Sequence, residues 1–137
     1  MLDKNGIIKR LLFANTFAQK EVAYLKGLDA PTLSDYEASI QKYVLYKFLL
    51  DDEPEITTTI LNELADFSVT KAGKLNPNES ILLDVSRHCG ATSSAMTKKV
   101  LLFMSIQEDF QVDLTTINTA DIETTQELAY ILHQKGG

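Results

Sequence analysis

Apolar residues recur at helical spacing along most of this chain, and the interruptions fall at glycine, proline and short polar turns rather than at hairpin signals. Ile7, Ile8, Leu11, Leu12, Phe17, Val22 and Leu25 form one such series, and Gly27 with "LDAPT" offers its stop. A second series runs through Tyr36, Ile40, Tyr43, Val44 and Phe48, with Ser34 as the expected cap and Pro54 disfavouring helix just beyond. Residues 1–50 therefore read as a helical hairpin. In "YVLYKFLL" the tyrosines are expected on one side of that helix pair.

A third helix is predicted from about Glu55, with Ile56, Ile60, Leu61, Leu64 and Phe67 along one stripe. The threonines between them lower its intrinsic propensity, so packing must hold it. A long loop is expected next, through Asn76, Pro77 and Asn78, with Ile81, Leu82, Leu83 and Val85 as apolar anchors. A strong helix follows from Ser94 to Phe110, with Val100, Phe103, Met104, Ile106 and Phe110 expected inside. After an irregular link, "ETTQELAYILHQ" reads as the last helix, burying Leu128, Ile131 and Leu132. The fold class is all-α.

With 137 residues, the chain can bury a core without staples. Its single cysteine, Cys89, excludes an internal disulfide, and no secretory segment is recognised, so a reducing cytoplasm is the expected compartment. "GIIKRLLFA" is too short and too charged to span a bilayer, and no membrane partner is expected. Residues 1–50 hold seven Lys/Arg against five Asp/Glu, or +2. Residues 51–137 hold six against fourteen, or −8. That acidic part would repel nucleic-acid phosphates and attract a partner with a basic face. "RHCG" places His88 beside Cys89, but adjacency in sequence does not make a nucleophile–base pair, and these with His133 are too few for zinc. "DDEPE" lacks the ligand alternation of a calcium loop and reads as a solvated linker. No metal site and no catalytic set is expected, so the protein reads as a non-enzyme.

Residues 55–134 resemble the acyl and peptidyl carrier proteins. The residues that carry this are Glu108, Asp109 and Phe110 at a helix end, Val112 and Leu114 in the step that follows, then Ile122, Thr124, Leu128, Ala129 and Ile131. "NPNESILLDV" is similar to the family's long loop. The resemblance implies an acyl-carrier-like four-helix bundle over 55–137 with the hairpin of 1–50 added, and it implies that 100–110 and 123–132 pack as neighbouring helices. It also implies a serine bearing 4′-phosphopantetheine at a helix start, where free N–H groups and the helix dipole tolerate a phosphodiester.

The motif itself departs from the family. Counting back from Phe110 without a gap, Met96 stands at the serine position, Ala95 at the preceding Asp and Thr97 at the following Leu. Aligning "GATS" on Gly-Ala-Asp-Ser instead puts Ser93 in the motif place, with Thr92 for the Asp and about one extra helical turn. Ser94 would rotate away and ranks second. Ser93 and Ser94 also suit plain N-caps. Lys98 and Lys99 stand on the face that is acidic in typical carriers. Two readings remain. One is a non-enzymatic carrier-like protein with phosphopantetheine on Ser93 or Ser94, served by a phosphopantetheinyl transferase and presenting its cargo, or itself, to a biosynthetic or peptide-modifying enzyme. The other is an adaptor that has lost the arm and works by docking, with the N-terminal hairpin as a partner or homodimer surface.

Overall fold

A computed structural model describes residues 4–75 and 94–136. Among the described residues the elements are α1 (Lys4–Gly27), α2 (Leu33–Lys47), α3 (Leu61–Leu75), α4 (Ser94–Phe110), a 3-10 turn (Thr119–Asp121) and α5 (Thr125–Gly136). The all-α expectation holds. The expected loop anchors Ile81, Leu82, Leu83 and Val85, together with His88 and Cys89, lie outside the described residues.

α1 and α2 pack closely as an antiparallel pair, with Arg10 reaching Asp51 and Asn15 reaching Lys47. The face α1 buries is Ala14, Ala18, Val22 and Leu25. Ile8, Leu11 and Leu12, expected inside, are instead exposed at 45, 47 and 62%. Length and facing explain this. At 1.5 Å per residue the 24 residues of α1 span about 36 Å and the 15 of α2 about 22 Å, so the start of α1 runs past its partner, and at about 100° per residue Ile8 and Leu12 lie round the helix from the buried stripe.

α2 begins two residues earlier than Ser34 would suggest. Thr32 is its cap, and Asp35 three residues on completes a reciprocal pair: Asp35 N donates to Thr32 Oγ1 at 3.1 Å and Thr32 N to Asp35 Oδ2 at 2.9 Å. α2 ends with Leu49 at φ 60°, Leu50 N donating to Leu45 O and Leu49 N to Tyr46 O. Two side chains of α3 satisfy carbonyls at this end: Ser68 Oγ donates to Phe48 O and Lys71 Nζ to Leu49 O.

The predicted third helix starts six residues late, at Leu61. Thr57, Thr58 and Thr59, β-branched, stand outside the helix, in keeping with their low helix preference. Ile60 makes an isolated antiparallel bridge with Thr124, through Leu61 N to Glu123 O at 2.8 Å and Thr125 N to Thr59 O at 2.9 Å. This single bridge fixes the starts of α3 and α5 side by side. Gln41 of α2 reinforces it, donating to Thr58 O and accepting from the buried Thr125 hydroxyl at 2.6 Å. Ile60 and Phe67 are consequently exposed, while α3 buries Leu61, Leu64, Ala65 and Ser68 and continues to Leu75, where a loop was expected.

α4 has the predicted bounds but a different inner face. Leu102, Phe103 and Ile106 are buried, whereas Val100 and Met104 are 42 and 57% exposed. Lys99, expected on the recognition face, is buried at 1% exposure and takes the inward place one turn before Phe103. α4 packs most closely on α3, and α5 on α2. The expected side-by-side placement of 100–110 and 123–132 is therefore not met: α2 stands beside α5 instead. All helices still meet in one cluster, in which Tyr36, Ile40, Tyr43 and Val44 of the hairpin join Leu61, Leu64, Phe103, Ile106, Leu128 and Leu132.

Candidate functional site

Ser94 is the first residue of α4, and Ser93 lies outside the described residues. The backbone of α4 therefore places Ser94 at a helix start.

The outer face of α4 runs on from that start. Leu101, Met104 and Glu108, at i, i+3 and i+7, are all exposed and share one side of the helix. Lys99 does not belong to this face. Burial pushes its ammonium below the ordinary lysine range, and the charges of Glu123 and Glu127 oppose that shift. Among the described residues it forms no ion pair.

Asp109, one of the acids that carries the family resemblance, is turned inward rather than presented. Its Oδ2 accepts from the Tyr43 hydroxyl at 2.7 Å and its Oδ1 from Gln19 Nε2 at 2.9 Å; Lys47 Nζ lies 3.6 Å away. Ser105 Oγ is 2.9 Å from the Tyr43 oxygen, and Lys26 Nζ donates to the Asp109 carbonyl. Burial alone would raise the Asp109 carboxyl, but the Tyr43 and Gln19 bonds, the Lys47 charge and the Ser105 bond together hold it below its ordinary value of 3.8. Burial and the facing Asp109 carboxylate push the Tyr43 phenol up, so it stays a donor. This hub joins α1, α2 and α4. It makes Asp109, one of the residues that carry the resemblance, structural here. The tyrosine run did signal a helix pair: Tyr43 is fully buried and Tyr46 stacks on Phe17.

A second polar cluster lies at the turn after α2. "DDEPE" is not a merely solvated linker. Arg10 pairs with Asp51 at 2.6 Å and Asp52 at 3.4 Å, and Lys71 pairs with Asp52 and with Glu53 at 3.3 Å. Beside it is a groove of about 420 Å³ between this turn and α3, within the size range of ligand sites. Leu50, Ile56 and Phe67 supply its apolar walls, and Glu53, Glu55 and Glu63 its charge. Sequence reasoning missed the groove because Ile56 and Phe67 read as one buried helical stripe. The threonine run was the signal that this stripe would break.

Among the described residues no group of three or more His, Cys, Asp or Glu side chains is placed to hold a metal, and no helix is long and apolar enough to cross a membrane. No protein-family model, curated protein or solved structure matches the chain.

Proposed function

We propose that this protein is a non-enzymatic helical docking protein that presents itself to a basic-faced biosynthetic or modifying enzyme in the cytoplasm. The observation that supports this reading best is the outer face of α4, where Leu101 and Met104 lie exposed in line with Glu108. An apolar stripe ending in a carboxylate suits a partner whose pocket is apolar and whose rim is cationic. The surplus of acids in residues 51–137 would steer such a partner in.

The carrier reading stands beside it, favoured by one feature: α4 opens at Ser94, the residue that follows Ser93 in the sequence. In that reading 4′-phosphopantetheine is carried on Ser93, or second on Ser94, and a phosphopantetheinyl transferase is a further partner.

One experiment separates the two. The chain is incubated with coenzyme A and a promiscuous phosphopantetheinyl transferase and weighed intact. A gain of about 340 Da that disappears in Ser93→Ala supports the carrier. An unchanged mass, together with crosslinking of one basic-faced enzyme from a photoreactive side chain at Met104 and its loss in Leu101→Asp, supports docking. An unchanged mass and no such crosslink would defeat both.

A further inference from the structure

The overhanging start of α1 and the groove beside α3 are opposite in charge, alike in apolar character and adjacent. Between Ile8 and Phe13 the exposed positions of α1 hold Ile8, Lys9, Leu11, Leu12 and Phe13, and the one acid in the helix, Glu21, is half-buried. Lys9 forms no ion pair among the described residues. In the groove, Lys71 is already held by Asp52, Glu53 and the Leu49 carbonyl. Glu55 and Glu63 have no cation within ion-pair distance among the described residues, and Phe67 is 46% exposed. Asp52 pairs with both Arg10 of α1 and Lys71 of the groove wall, so the two patches are neighbours on one surface.

From this we propose that two copies of the chain associate about a two-fold axis, the overhang of each α1 lying in the groove of the other. Only the crossed arrangement matches charge. Overhang against overhang would oppose lysines, and groove against groove would oppose glutamates. A surface that carries both halves of a complementary contact is self-complementary, which is what a closed two-fold dimer requires. Lys9 of one copy faces Glu55 and Glu63 of the other, and Leu12 and Phe13 cover Ile56 and Phe67. This contact is separate from the outer face of α4.

The test is sedimentation equilibrium of the full chain up to on the order of 100 μM, a range that registers micromolar association. The dimer is expected, and it should weaken as salt rises from about 0.1 to about 1 M. Lys9→Glu alone and the double variant Glu55→Lys/Glu63→Lys alone should each weaken self-association by at least about tenfold. All three positions are on the surface, so circular dichroism should show unchanged folding. Mixing the two variants makes both crossed contacts complementary again and should restore a mixed dimer. Leu101→Asp should leave the dimer intact. A wild-type monomer at the highest concentration, a dimer indifferent to both charge changes, or a mixture that fails to reassociate would each overturn the proposal, and none of these results bears on docking through α4.

Discussion

The αL position that ends α4 is occupied by a side chain that gains nothing from being there. Gln111 has φ 55° and is exposed, and Val112 N donates to Gln107 O across it. Gln111→Gly should therefore stabilise the fold by about 0.5–1 kcal/mol, the relief of left-handed strain less the extra entropy of glycine in the unfolded chain; urea unfolding measures it. Two residues earlier, Asp109 makes stability depend on acid. Its folded-state carboxyl lies below 3.8, so it binds protons less readily folded than unfolded. Its contribution is complete above the unfolded value and is lost as pH falls through the folded one. Melting temperatures from pH 5 to about 2 should fall less steeply for Asp109→Asn than for the wild type. A steeper fall in the variant would refute the assignment. The sequence displayed Asp109 as part of an acidic helix end, but not its role. Its partners Tyr43, Gln19 and Lys47 are distant in the chain, and only packing brings them together.

At the scale of elements, the legible parts were those where local signals agree. α4 opens and closes where periodicity and its flanking residues place it, and α5 buries Leu128 and Leu132 as its stripe demands. The start of α3 was misread because apolar spacing outweighed the β-branched run, whereas in the fold Thr59 and Ile60 meet the residues at the start of α5 through the single Ile60–Thr124 bridge. The cap of α2 was misread for a simpler reason: Ser34 and Thr32 are both good caps, each with an acid three residues later, Glu37 and Asp35, and only in the fold does the Thr32–Asp35 pair close. Thr32→Ala should cost about 1 kcal/mol while Ser34→Ala costs far less, and equal costs in thermal unfolding would contradict the capping box.

For the whole molecule, the decisive contacts are those between the hairpin and the rest. Tyr36, Ile40, Tyr43 and Val44 share one cluster with Leu128 and Leu132, and α2 takes the place beside α5 that the sequence reading reserved for α4. Periodicity shows which face of a helix is apolar but not which neighbour covers it, so this exchange was invisible beforehand. Exposing four such side chains forfeits about 1.5–3 kcal/mol each, comparable with the whole stability of a domain this size, about 5–15 kcal/mol. Residues 55–137 produced alone should therefore lack a cooperative melt by circular dichroism, and adding residues 1–50 as a separate chain should restore one.

The bridge between Ile60 and Thr124 also bears on the order of assembly. It joins positions about 60 residues apart in the chain, so forming it closes a long loop at an entropic cost that α1 and α2, linked by a short turn, do not meet. The hairpin would then arise early and the clamp around Gln41 would click shut after the rate-limiting barrier. Gln41→Leu, which strips Thr58 O and the Thr125 hydroxyl of a partner, should accelerate unfolding in stopped-flow experiments while leaving the refolding rate nearly unchanged. The grip that holds the mature protein closed is thus set by how slowly this clasp opens rather than by how fast the chain collapses.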